Sequence, residues 1–228
     1  MNKNKKNALI IGAGAGISGA FAKELFKNGY RICLASRNIK NFETTAKEIS
    51  AISLQVDCLQ EKSIKNLFEN FEKEIGIPSV ILYNPSSRVR GNIHEIEISQ
   101  AKAALNVNVF GAFVAAQEAA KRMIPQKKGA IFFTGATASI KGFSGSSVFA
   151  MGKFALRGLA QSLYRELSPL GIHVAHFIID GVVKKTFSAD NSENLTSFAI
   201  AKTYMSVLNQ PRQAWSHEIE IRSFTEKF

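Results

Sequence analysis

The chain has 228 residues, enough for one well-filled core and short for two. With 46% hydrophobic and 21% charged residues it is not a disordered or low-complexity chain, and no run approaches the ~20 apolar residues of a membrane span. Its 29 basic and 18 acidic residues leave a net charge of +11, but the lysines are spread through "KNKK", "KRMIPQKK" and "KK" with no basic helix or aromatic-studded strand to collect them, which argues against a nucleic-acid surface.

The N-terminus, "MNKNKKNALIIGAGAGISGAFA", imitates a secretory leader, yet four glycines break its apolar stretch and an amphipathic "FAKELFKNG" follows. A strand over 7–13, a turn and a helix over about 17–28 explain it better. Next come a strand at 31–36 and a helix near 40–50, then "SLQVD" (53–57) and a helix in which Ile64, Leu67, Phe68, Phe71 and Ile75 recur at helical spacing. "SVILYN" (79–84) leads to one long helix over about 99–125, and "GAIFFTG" (129–135) to a helix over about 146–168. "HVAHFII" (173–179) and an alternating "AWSHEIEIRSF" complete the series, the latter with Trp215, His217, Ile219 and Ile221 on one face.

Strand runs that are apolar on both faces are buried between helices, which predicts a parallel sheet. Their alternation with helices predicts an α/β chain, a single-domain doubly wound sheet of about seven strands with helices on both faces, spanning 1–228. Cys33 and Cys58 match no metal spacing, and His94, His173, His176 and His217 are scattered, so no metal site is expected. The absence of a disulfide framework and of a leader points to a reducing, cytoplasmic setting.

"IIGAGAGISGAF" sets Gly12, Gly14 and Gly16 directly after a strand and before a helix. Positions without side chains let a backbone approach a pyrophosphate, and the positive end of the helix meets its charge; a tight turn without ligand is the alternative. After the second strand, Ser36 and Arg37 stand where an NAD site would place an acid for the ribose hydroxyl. A cation there suits a 2′-phosphate, so NADP(H) is favoured over NAD(H).

With these features the sequence resembles the short-chain dehydrogenase/reductase family over essentially its whole length. Gly12-x-x-x-Gly16-x-Ser18 is similar to the family's glycine motif with the last glycine replaced, and Asn84 in "YNPSS" survives from its N-A-G turn. The resemblance implies cofactor contacts at Gly12, Gly14, Gly16, Ile17, Ser36, Arg37, Asp57, Cys58, Asn84, Pro85, Lys153, Gly181 and Val183. Asn108 in "NVNVFGAF" matches the asparagine that holds a relay water, and Lys153 matches the lysine of Y-x-x-x-K, which binds the nicotinamide ribose and lowers the tyrosine pKa. Asp180 replaces the proline of the family's P-G, with Gly181 kept.

Two of the family's catalytic positions are also lost. Phe149 stands for the catalytic tyrosine and Ala136 for the catalytic serine. Through "TGATAS", "IDG" and the C-terminal "AW…E…R…EKF" the chain is similar to a divergent branch in which phenylalanine is usual at that tyrosine position. A phenyl ring exchanges no proton, and a positioned general acid contributes about 10²–10⁴-fold. Thr137 and Ser139 are candidate substitutes, beside Ser86, Ser87, Arg88 and Lys153 itself; Ser146 and Ser147 are read as N-caps, and Asp180 as a cofactor contact or a turn cap.

Two functions follow: an NADP-dependent oxidoreductase acting on a carbonyl or alcohol with atypical proton transfer, or a catalytically silent NADP-binding sensor or subunit. The substrate lid is expected from 182–205, where Lys184, Lys185 and Phe187 suggest an acidic or aromatic ligand. The resemblance implies a homodimer or homotetramer through the helices near 99–125 and 146–168; the scattered basic residues and the lack of a long apolar run predict no nucleic acid and no membrane as partner.

Overall fold

The computed structural model describes residues 6–186 and 193–226. Its strands are β1 (Asn7–Ile11), β2 (Arg31–Ser36), β3 (Ile52–Gln55), β4 (Val80–Tyr83), β5 (Gly129–Thr134), β6 (Ile172–Asp180), the short pair β7 (Val183–Lys184) and β8 (Leu195–Thr196), and β9 (Glu218–Arg222). Seven of them form one sheet in the order β3-β2-β1-β4-β5-β6-β9, every pairing parallel. All five residues of β1 and all nine of β6 are buried, as strands covered on both faces must be.

The helices are α1 (Ile17–Lys27), α2 (Glu43–Glu48), α3 (Glu61–Ile75), α4 (Ile98–Leu105), α5 (Gly111–Met123), α6 (Ser147–Leu167) and α7 (Ser197–Leu208). On one face, Phe21 and Leu25 of α1 and Ile200 and Tyr204 of α7 pack against Ala8, Ile10, Phe132 and Phe177. On the other, α3, α5 and α6 bring Phe68, Phe71, Ala115 and Leu156 onto Leu9, Ile11, Ile131 and Phe133. The five residues of α3 that repeat at helical spacing are the five it buries, each worth roughly 1.5–3 kcal/mol of transfer free energy. This is the single-domain, doubly wound sheet that the alternation predicts.

Three elements differ in detail. The predicted helix over 99–125 is α4 and α5 joined by a π-helical turn at Asn106–Phe110. The wider turn carries Asn108 inward to full burial. β3 stops at Gln55, so Asp57 lies in the following turn, where its carboxylate accepts from the Leu59 N–H at 3.1 Å. The alternation at the C-terminus holds for Ile219 and Ile221 but not for His217. That residue precedes β9 and stacks on Tyr164 of α6, with ring centroids 4.7 Å apart.

The strand order reverses between β1 and β4, which opens a crevice at the carboxyl ends of the central strands. The glycine turn after β1, the loop after β4, the turn after β5 and the end of β6 all meet there. A cavity of about 610 Å³ opens at the opposite, amino-terminal end of the strands, where Lys6, His173 and Trp215 line it. It is separate from the crevice.

Candidate active site

The crevice begins at the glycine turn. Gly12 has φ +77°, and a Cβ on it would lie 2.5 Å from the Pro85 nitrogen, so only glycine lets this turn pass against the loop after β4. Asn84 secures the approach by donating from Nδ2 to the Gly12 carbonyl at 3.1 Å while its Oδ1 accepts from Thr134 Oγ1 at 2.9 Å. Around Gly14 the space a Cβ would take is open. Ser18 Oγ braces the turn, accepting from the Gly14 N–H at 3.0 Å.

Gly16 is the N-cap of α1, and no side chain caps that end. The first turn carries no acidic residue, so the N–H of Ile17 and its neighbours present an uncompensated positive helix end. At the end of β2, Ser36 Oγ donates to the Asn38 carbonyl at 3.0 Å. Arg37 is exposed, and its guanidinium makes no ion pair with a described residue. Open space, an uncapped helix end and an exposed cation together fit a phosphate-bearing dinucleotide. Cys58 turns its thiol inward, where burial pushes it up to about 11, so only its backbone is left for a ligand.

The second half of the crevice is built on α6. Phe149 and Lys153 lie one helical turn apart, 6% and 2% exposed. Lys153 Nζ donates to the Thr134 carbonyl at 2.7 Å. Burial, with the Arg88 charge second, pushes this amine down to about 7. Arg88 leaves the loop after β4 and stands over the Phe149 ring, its Cζ 4.3 Å from the centroid. The ring therefore meets a guanidinium on the surface and, 5.9 Å from its centroid, the Lys153 ammonium behind.

Asn108 anchors that loop. Its Oδ1 accepts from the Ser87 N–H at 2.9 Å and its Nδ2 donates to the Ser87 carbonyl at 2.7 Å, so both polar atoms are engaged by one residue's backbone. The close packing depends on Gly152, where a Cβ would come within 2.9 Å of Asn108 Cβ.

The candidate substitute hydroxyls are committed elsewhere. Thr137 Oγ1 donates to Asp180 Oδ1, whose other oxygen is paired with Arg222. Ser139 is fully buried; its Oγ accepts from the Ala136 N–H at 3.2 Å and meets His176 Nε2 at 3.3 Å. His176 is pushed down to about 4 by burial and is neutral. Ser146 occupies the N-cap position of α6 without a capping bond, and the buried Ser147 Oγ has no hydrogen-bond partner among the described residues.

At the end of β6, Gly181 has φ +135° and Val183 opens β7, paired with Leu195 of β8. Sequence reasoning assigned Lys185 only to the lid, but its Cγ lies 4.0 Å from where a Gly16 Cβ would stand, beside the glycine turn. Phe187 lies outside the described residues. On the π turn, α5 and α6, Phe110, Phe113, Met151 and Phe154 are 63%, 49%, 56% and 44% exposed. No helix among the described residues is long and apolar enough to cross a membrane.

Comparison with known proteins agrees with this geometry. Residues 6–195 match a family described as short chain dehydrogenase. An uncharacterized oxidoreductase of Staphylococcus aureus (strain USA300) is 25% identical over 226 residues, covering 95% of this chain and 96% of the relative. The crystal structure of a short-chain dehydrogenase from Rhodopseudomonas palustris is 30% identical, with a TM-score of 0.82, and covers 96% of this chain and 99% of that one. An alcohol dehydrogenase from the archaeon Thermococcus sibiricus, complexed with 5-hydroxy-NADP, superposes with a TM-score of 0.87 at 19% identity, covering 98% of this chain and 99% of that one.

Proposed function

We infer, as the chain belongs to the short-chain dehydrogenase family, that it is an NADP(H)-dependent oxidoreductase that interconverts a carbonyl and an alcohol, with Lys153 moving the proton in place of tyrosine. The observation that carries this reading is a buried amine, pushed down to about 7, one helical turn behind the phenyl ring that occupies the tyrosine position. A group that titrates near the working pH is matched to general acid–base catalysis.

When bound, the nicotinamide supplies or takes the hydride. The chain's own residues do the rest. Gly12, Gly14 and Gly16 admit the pyrophosphate to the α1 end, Lys185 stands beside that turn, and Arg37 pairs with the 2′-phosphate. Asn84 holds the turn against the loop after β4. Phe149 and Arg88 wall the reacting oxygen, and Lys153 Nζ gives it a proton in reduction or takes one in oxidation. Asn108 acts through the loop, as a positioning residue. The segment 182–205 is the substrate lid.

The test is titration of purified protein with NADPH and NADH, followed by nicotinamide fluorescence and then by NADPH oxidation against a carbonyl panel. Tighter binding of NADPH with turnover is expected. Arg37→Asp is expected to weaken NADPH by roughly 10–100-fold, the worth of one charge-assisted phosphate contact, and to spare NADH. NADPH bound without any turnover, or an Arg37→Asp variant with unchanged preference, overturns the corresponding part of the reading.

We also propose that a second copy of the chain covers the four exposed apolar side chains on the π turn, α5 and α6. Light scattering at micromolar concentration is expected to give the mass of two or four chains. Phe154→Glu, which places a charge in the middle of that face, is expected to lower it.

A further inference from the structure

We propose that the carbonyl substrate is itself an anion, a short oxo acid whose carboxylate is held by the Arg88 guanidinium. This deepens the reading of the crevice as a carbonyl-reducing site and rests on it. Three cations gather on this wall: Arg88 over the face of Phe149, Lys153 behind the same ring, and Arg90 close enough to act on Arg88 through its charge. Among the described residues no carboxylate pairs with any of them.

Arg31, Arg37, Arg165 and Arg212 likewise pair with no carboxylate among the described residues, whereas three other arginines do. Arg122 is held by Glu118 and Glu72, Arg157 by Glu218 at 2.6 Å, and Arg222 by Asp180. Asp180, the acid at the end of β6, is occupied by Arg222 and Thr137 and offers nothing to Arg88. The wall is therefore short of negative charge, and the guanidinium fork matches the plane of a carboxylate.

The fork is also fixed in place. Its backbone is tied next door at Ser87 by both polar atoms of the fully buried Asn108, and its head is stacked 4.3 Å from an aromatic centroid. A pre-positioned charge beside an apolar ring can hold a carboxylate with little ordering cost. A neutral ketone leaves this donor set unused. An oxo acid satisfies it and, by neutralising Arg88, removes a charge that opposes protonation of Lys153. Binding of the acid thus arms the proton donor behind the ring.

The experiment is calorimetric titration of the protein, with and without NADP⁺, by 2-oxobutanoate, 3-oxobutanoate and butanone. At least one oxo acid is expected to bind the NADP⁺ complex tenfold or more tightly than butanone. Arg88→Met is expected to weaken that acid by 10–100-fold, and Arg88→Lys, which keeps the charge but not the fork, by less. Nicotinamide fluorescence with NADPH on the same variants checks that the fold and cradle persist. Equal affinity for acid and ketone, no binding of either acid, or an acid affinity unchanged in Arg88→Met overturns the inference even where NADPH binds normally. Failure of wild-type protein to bind NADPH instead overturns the cofactor reading, and is seen separately from the acid titration without nucleotide.

Discussion

Lys153→Met is expected to lower kcat for carbonyl reduction by at least about 10²-fold, the lower bound for loss of a positioned general acid. Wild-type activity carries a matching pH signature, because burial and Arg88 push the amine down to about 7. Reduction needs the protonated amine and should decline as pH rises through about 7. Oxidation of the alcohol needs the neutral amine and should rise through the same range. Both inflections should vanish in the variant. Stability gives an independent reading of the same group. An unfolded lysine keeps its proton to ~10.4, so between about 7 and that value the unfolded chain binds the extra proton. This residue's contribution to stability therefore increases with pH across that window and is least favourable below about 7. Methionine removes the buried charge, so the melting temperature of Lys153→Met is expected to gain on wild type as pH falls from 9 to 6. A variant that keeps its activity, or a difference in melting temperature that ignores pH, removes Lys153 from the mechanism.

The fold was legible because the burial that drives it follows local patterns. Strands such as β1 and β6 are apolar on both faces, and α3 repeats its buried residues at helical spacing, so the core can be read directly from neighbouring residues. The glycine turn was legible for a related reason, since Gly12 can adopt its left-handed conformation only without a side chain. The arrangement of Arg88, Phe149 and Lys153 in the crevice was not legible. The π turn that buries Asn108 leaves no mark on periodicity, and the grip of Asn108 on Ser87 joins residues 21 apart. Thr137 and Ser139 read as free hydroxyls because their partners, Asp180 and His176, are 43 and 37 residues away. Arg88 stood among several candidates in the loop after the fourth strand, and only its stacking on Phe149 sets it apart from an exposed cation. Side-chain partners chosen across long sequence separations depend on the finished packing, and no local pattern encodes them.

Phe149→Tyr is the complementary test, adding the group that Lys153→Met takes away. The side chain is 6% exposed and changes only by one hydroxyl, which would enter a wall made by Arg88 and Lys153. Two cations near a phenol favour its ionised form and bring its pKa below ~10, which makes it a better proton donor near neutral pH. Lys153 already supplies part of the general acid catalysis, so the gain should fall below the usual range of about 10²–10⁴-fold, at about tenfold in kcat. Ala136→Ser in the same background adds a hydrogen-bond donor for the substrate oxygen and should raise kcat further. Phe149→Leu serves as the control, since it removes the ring beneath Arg88 without adding a proton donor, and should lower activity by loosening the guanidinium. If Phe149→Tyr leaves kcat unchanged while thermal melts show an intact fold, the proton is not delivered at this wall, and Lys153 holds the cofactor without serving as acid. If kcat falls, the hydroxyl has displaced Arg88, and the ring is then needed as an apolar platform for the guanidinium more than as the site of a missing acid.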